Sequence, residues 1–221
     1  MRHPIRAMGP AAAVLAAALL FTGCDGPEPM PEVRQGDRPS GVPSARGSSV
    51  EGGATGAVAE AGAVVGGRGS ACVLPVSFSS AAEWVAKVVE GAEDPEFAAL
   101  TRQGPATVRC EVDAKPAGHL GYLRVWTAGK GPARVALEGF VKGEPNASKA
   151  VYRETRAGQL AATEVTYTVF NKLMEESKEE RAFAVATPKG TVIVHLGGLD
   201  TDEHRAMLPA YELARTTLKP L

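Results

Sequence analysis

The stretch that decides the fold is the last one, Gly190-TVIVHLGGLDTDEHRAMLPAYELARTTLKP-Leu221. Thr191 to Leu196 is a β-branched apolar run of strand length. The turn Pro188-Lys189-Gly190 separates it from a second such run, Arg181 to Thr187, and strands joined this tightly must run antiparallel. Asp200 followed three residues later by Glu203 reads as a helix start of the capping-box type. Met207, Tyr211, Ala214 and Leu218 then share one stripe at helical spacing, and Pro209 either kinks this helix or marks its true start.

Working towards the amino terminus, Gln159 to Asn171 places Val165, Tyr167 and Val169 on one face of a third strand. Pro132 to Lys142 reads as a helix, with proline in its first turn and Val135, Leu137, Phe140 and Val141 as core candidates. Leu120 to Thr127 and Thr107 to Asp113 are strands joined through the turn Lys115-Pro116-Ala117-Gly118. In the latter, Val108, Cys110 and Val112 alternate with Arg109, Glu111 and Asp113. Cys72, Leu74, Val76 and Phe78 form the apolar phase of a further extended segment. Ser79 and Ser80 are placed to cap a helix carrying Trp84, Val85, Val88 and Val89. Hairpins of strands with helices at the start, middle and end predict an α+β fold, an antiparallel sheet covered by helices.

This order of elements carries a resemblance. The closing run, two antiparallel strands feeding a terminal helix, is similar to the end of the PsbP-like sandwich. That fold is shared by photosystem II extrinsic proteins, nuclear-transport Mog proteins and mycobacterial LpqN-type lipoproteins. The block Cys110-EVDAKPAGHLGYLRV-Trp126 resembles segments of actinomycete lipoproteins. The resemblance implies a fold and a compartment over Ala71 to Leu221, and no site residues, because members of the fold do unrelated work.

Upstream, Phe21 is the one aromatic residue before Phe78. Arg2 and Arg6 precede an apolar, alanine-rich run, Ala7 to Phe21, which is shorter than the roughly 20 residues of a spanning helix. It ends in Thr22-Gly23-Cys24, which resembles a bacterial lipobox. Residues 1–23 are then a signal peptide, and Cys24 is the lipidated first residue of a protein held on the extracytoplasmic face of the cell membrane. An uncleaved anchor helix and a plain secretory signal are the alternatives. Residues 24–70, rich in proline and then in glycine and alanine, are expected to be a disordered tether, with a short helix over Ala54 to Val65 as the rival reading. Residues 71–221 are expected to form a single globular domain.

Lipidation of Cys24 leaves an even pair, Cys72 and Cys110. Both lie on the apolar phase of their strands, so a disulfide is expected in an oxidising compartment, against the alternative of two buried thiols. On the chain-entropy model such a bridge contributes roughly 4 kcal/mol.

The formal net charge of −1 shows no basic excess and argues against nucleic-acid binding. No GxSxG, HExxH, SxxK, Walker or GxGxxG spacing occurs in the domain, so no catalytic residue, metal ligand or cofactor is assigned and the chain is read as a non-enzyme. His119 reads as a solvated turn residue and His195 as an ordinary sheet histidine. His204, beside Asp200, Asp202 and Glu203, reads as part of an acidic helix start, with divalent-cation binding as the lesser alternative. Glu175, Glu176, Glu179 and Glu180, interspersed with Lys172 and Lys178, read as a solvated hairpin tip. The candidate binding face is Glu111, Tyr122, Arg124 and Trp126, with Arg109 and Asp113 on the same strand pair. If a helix covers it, Tyr122 and Trp126 are core instead and Glu111 and Arg124 form a cross-strand ion pair.

The expected activity is that of an envelope accessory or binding protein contacting the membrane through its anchor and an envelope partner through its domain. A carrier of a lipid or small hydrophobic ligand and, further off, an unrecognised hydrolase are the alternatives. Intact mass spectrometry of the native protein should show a chain starting at an acylated Cys24. Cys24→Ser should retain Met1 and carry no acyl mass.

Overall fold

The structure, a computed structural model, describes residues 57–221. The signal peptide, Cys24 and most of the expected tether therefore lie outside the described residues. In chain order the elements are β1 (Ala61–Val65), β2 (Val76–Ala81), β3 (Val85–Val88), α1 (Ala98–Thr101), β4 (Arg102–Gln103), β5 (Ala106–Asp113) and β6 (Gly121–Ala128). There follow α2 (Ala133–Lys142), β7 (Ala147–Ala157), β8 (Leu160–Asn171), β9 (Glu176–Thr187), β10 (Gly190–Gly198), α3 (Thr201–Ala206), α4 (Leu208–Thr217) and β11 (Lys219–Pro220). The fold is α+β, with every ladder between named strands antiparallel.

An eight-stranded sheet runs β3-β5-β6-β10-β9-β8-β7, with β4 beside β5. One face carries Trp126, Val165, Tyr167, Ala182, Ala184 and Ile193 and is covered by α2 through Leu137 and Phe140. The other carries Val112, Leu123, Val125, Phe183, Val185, Val194 and Leu196. It is covered by α4, through Tyr211 and Ala214, and by a three-stranded sheet ordered β1-β2-β11. Of the four core candidates on α2, Leu137, Phe140 and Val141 are buried, whereas Val135 is 61% exposed.

Between Val108 and Cys110 the β5/β6 register shifts, so that Val108 pairs Trp126 while Cys110 pairs Val125. A bulge of this kind moves the following side chains to the other face. Val108 accordingly packs in the α2 core, and Cys110 and Val112 in the opposite one. The disulfide Cys72–Cys110 has a Cα separation of 5.9 Å. Cys72 precedes β2, so the bridge does not join two neighbours in one sheet: it ties the approach to the small sheet to the main one.

Three expectations change. Residues Val85–Val88 form an edge strand pairing β5 rather than a helix. Trp84 and Val85 follow a turn in which Glu83 takes φ 65, and the bond Trp84 N to Ala81 O at 3.2 Å reverses the chain there. Trp84 is buried from that turn while Val85 and Val88 stay exposed, so their helix-like spacing does not come from one helix face. Ser79 and Ser80 lie within β2, where the Ser80 hydroxyl donates to Ala63 O at 3.1 Å.

The ordered fold also begins before Ala71. Ala61–Val65 is a strand, neither tether nor helix, because β2 offers it a ladder and Val65 a place in the core. Finally, Ala147–Ala157 is a strand absent from the sequence reading, an edge dominated by polar side chains. Its hairpin with β8 turns at Gly158, with φ +54, where a Cβ would lie 1.9 Å from Leu218 O.

Loss of the bridge removes the covalent tie between the layers. Cys72→Ser with Cys110→Ser should lower unfolding stability by about 2–4 kcal/mol, measured as the urea midpoint at constant m-value, with the far-ultraviolet circular dichroism retained.

Candidate functional site

The structure divides the face expected from the sequence. Glu111 pairs Arg124 and Asp113 pairs Tyr122 across β5 and β6. Arg124 Nε donates to Glu111 Oε2 at 2.8 Å, Nη1 to the Tyr122 hydroxyl at 3.2 Å, and its guanidinium stands 4.0 Å from the Tyr122 ring centre. These three side chains are half-buried. Trp126 does not belong with them: it is 3% exposed and packs edge-on to Phe140, ring centres 5.3 Å apart, beneath α2. The bulge also takes Arg109 away from that face, to Thr127 Oγ1 at 2.8 Å and to Glu93.

Tyr122 and Arg124 border a polar network where the cover of α2 ends. Its centre is His195 on β10, whose Nε2 is 2.7 Å from Glu180 Oε2 and 3.3 Å from the Tyr167 hydroxyl. Lys178 Nζ lies 2.8 Å from Glu180 Oε1 and donates to Gly198 O, also at 2.8 Å. Glu180 is therefore not at a solvated hairpin tip; it is 4% exposed inside β9. Burial pushes its carboxyl pKa up, but the His195 ring and the Lys178 ammonium more than offset this, and the net shift is downward. Burial raises Tyr122 and holds Tyr167 well above its ordinary range. The Tyr122 ring lies against Gly197, where a Cβ would come within 2.6 Å of it. Most of these groups find their partners within the network, which closes the open end of the α2 core; Tyr167 and Glu180 also border a small open pocket of about 290 Å³ with Lys149, Thr168 and His204.

The acidic helix start likewise splits up. Asp200 Oδ1 caps α3 by accepting from Glu203 N at 2.8 Å. Glu203 Oε2 accepts from Leu120 N at 3.2 Å and lies 3.4 Å from His119 Nδ1, so His119 is half-buried rather than fully solvated. His204 points inward, 2% exposed. Among the described residues no group of three or more His, Cys, Asp or Glu side chains is placed to hold a metal ion.

One charged concavity was not visible in the sequence. It is an open groove of about 670 Å³. Its floor is the face of β7, β8 and β9 opposite α2, and one wall is the polar edge of α4. Arg153, Arg181, Arg205 and Arg215 line it with Glu164 and Glu212. Glu154 also borders it, but its carboxylate turns back to accept from Thr163 Oγ1 at 3.2 Å.

Most of these charges are matched. Arg153 Nη2 donates to Glu164 Oε2 at 2.9 Å, and Tyr211 donates to Glu164 Oε1 at 3.0 Å. Arg205 forks onto Glu179 at 3.2 and 2.6 Å. Arg215 is held by Glu212 and donates to Arg156 O at 2.6 Å. Arg181 is different. Its nearest carboxylate, Glu212, is 3.9 Å away, and its buried Nε has no hydrogen-bond partner. The four arginines come from four elements, so no local spacing announces them. The available signal was Arg181 sharing the strand phase of Phe183 and Val185, a cation on a face that is otherwise core.

The buried His204 ring gives a pH test. Burial lowers its pKa from 6.5 to about 4. In the unfolded chain the ring takes up its proton as pH falls through about 6.5, while in the folded chain it stays neutral down to about 4. Stability therefore falls with decreasing pH across that window, by at most about 3 kcal/mol from this group. Glu180 acts lower: its contribution is present above the unfolded carboxylate pKa and is lost as pH falls through its depressed folded value. His204→Gln should flatten the plot of urea midpoint against pH between 6.5 and 4 and leave the more acidic limb in place.

The family model described as "Uncharacterised lipoprotein" (Lipoprotein_23) matches residues 43–218. No curated protein matches the sequence. Among solved structures, the chain is similar to cyanobacterial PsbP from Synechocystis sp. PCC 6803, at 13% identity and a TM-score of 0.47, over 71% of this chain and 96% of that one. It is also similar to LpqN of Mycobacterium tuberculosis, described as involved in cell envelope biogenesis, at 15% identity and a TM-score of 0.40, over 69% of this chain and 86% of that one. Both are the kinds of protein that the closing run resembles, and at these scores no activity is carried over from them. With its model spanning most of the sequence, the chain belongs to this family of uncharacterised lipoproteins.

Proposed function

We propose that the protein is a lipid-anchored, non-enzymatic binding module of the cell envelope, held at the extracytoplasmic face of the membrane through Cys24. The attachment is assigned to acyl chains on the strength of the lipobox-like run ending in Thr22-Gly23-Cys24; among the described residues no helix is long and apolar enough to cross a membrane. Two such chains make a durable anchor where one is marginal.

The observation that supports binding is the groove between α4 and the β7–β9 face. It is open, about 670 Å³ in volume, and lined by charged side chains that converge from separate elements. A pocket of this size accommodates a headgroup-sized or side-chain-sized ligand. A carrier of hydrophobic molecules would need an apolar lining instead, and here both faces of the main sheet are filled by side chains. A hydrolase would need a nucleophile, a base and oxyanion donors brought together. The hydroxyl beside the His195–Glu180 pair is the phenol of Tyr167, which burial keeps protonated.

A photo-crosslinking amino acid at Thr155, on the groove, should give a discrete adduct in intact cells, identified by mass spectrometry. The same group at Val135, exposed on α2 across the sheet, should not. Equal labelling at both positions, or at neither, would remove the groove from consideration.

A further inference from the structure

We propose that this groove takes a phosphate-type oxyanion, with Arg181 as its principal donor and Arg205 beside it; the inference rests on the reading of the groove as the binding site. The first argument is the unequal commitment of the four guanidinium groups. Arg153, Arg205 and Arg215 are tied to Glu164, Glu179 and Glu212, and Arg215 also donates to a backbone carbonyl. Arg181 has a carboxylate no nearer than 3.9 Å and a buried Nε without a partner. An anion in the groove meets the terminal N–H groups of this guanidinium, whose side chain is 24% exposed, and a charged acceptor there matches the charge that Glu212 leaves at a distance.

The second argument is position. Arg181 and Glu179 are two residues apart on β9 and lie on the same face, about 6–7 Å from one another along the strand. Arg205, forked onto Glu179, therefore stands one side-chain row from Arg181, and both line the same concavity. Arg181 is also supported from beneath, its guanidinium 5.9 Å from the Tyr211 ring centre. A planar fork held in place, with a second guanidinium one row away, suits the several acceptor oxygens of phosphate. A neutral ligand would leave the Arg181 charge as it is. A cationic one would add to it.

Phosphate of this kind has two sources, a soluble phosphate and the headgroup of a phospholipid. The full chain, purified in a neutral detergent, is titrated with inorganic phosphate and with glycerophosphoglycerol, a soluble headgroup, each against sodium chloride at matched ionic strength. Binding is read by calorimetry and by the Arg Nε–H resonances, that of Arg181 being assigned with Arg181→Lys. Saturable binding that moves the Arg181 resonance is expected. Arg181→Gln and the exposed Arg205→Gln should each weaken it, Arg181→Gln by about tenfold or more, while Arg134→Gln on α2 leaves it unchanged. Arg181→Lys keeps the charge, loses the fork and should bind less tightly than the native chain.

Tighter binding of the headgroup assigns the site to a lipid, and equal or tighter binding of phosphate to a soluble ligand. Both outcomes support the inference. Absence of saturable binding by either anion, or binding that Arg181→Gln does not change, overturns it. In that case a persistent crosslink at Thr155 would show that the groove binds something other than an oxyanion, whereas loss of the crosslink as well would remove the binding reading itself.

Discussion

The fold depends on one strand being buried along its whole length. All nine residues of β10 are buried, because Ile193 and His195 face the α2 core and Val192, Val194 and Leu196 face the other. A strand in that position leaves a polar group unmatched only at a cost, since an unsatisfied buried donor or acceptor costs more than a typical hydrogen bond contributes. Thr191 meets this demand by donating its hydroxyl to Gly131 O at 3.1 Å, which leaves His195 as the titratable side chain along the strand. That explains why Glu180 is drawn inside the sheet, why Lys178 follows to balance its charge, and why Tyr167 lies against the same ring nitrogen. The network is thus a consequence of where β10 sits, and Nδ1 of His195 is the part of that demand left unmet.

The second layer is held by other means. The small sheet contributes short strands, two of which are named by five residues or fewer, and its packing alone brings a modest area against the main sheet. The Cys72–Cys110 bridge and the docking of α4 hold it there. The bulge in β5 is what permits the bridge: by changing face after Val108, the strand offers one buried residue to the α2 core and then Cys110 to the opposite side. Without the extra residue the cysteine would point at α2 and away from Cys72.

How much of this could be read from the sequence follows from what each side of an element touches. Elements buried on one face or both, such as β5, β6, β8, β10, α2 and the α3–α4 pair, announce themselves by apolar period, and their readings hold to within a few residues. The edges do not. β7 is mostly exposed, β3 shows two exposed valines, and β1 has a single buried residue, so nothing in their composition separates them from loop, helix or tether. The face carrying Glu111, Tyr122 and Arg124 was legible because the residues sit on two consecutive strands. Whether Trp126 shares that face or lies in the core is not legible in the same way, because period-2 alternation gives the face a side chain shares but not how far along that face the covering helix extends. The groove was illegible because its arginines are distant in the chain.

The run Lys178-Glu179-Glu180-Arg181 shows the same point at the scale of single residues. Taken as composition it is a cluster of mixed charge, the usual mark of a solvated tip. Taken as a strand it separates into two pairs on opposite faces: Lys178 and Glu180 serve the His195 network, while Glu179 and Arg181 serve the groove. A slip of one residue in the register of β9 would exchange the pairs, placing Arg181 against His195 and Glu180 among the groove arginines. The buried histidine disfavours a cation beside it, and the ladder of Phe183 and Val185 with the opposite core fixes the phase further along. The carboxylate partner of His195 and the weakly matched charge of Arg181 are therefore linked through β9: the register that gives His195 Glu180 is the one that sends Arg181 to the groove, where Glu212 at 3.9 Å is its nearest carboxylate.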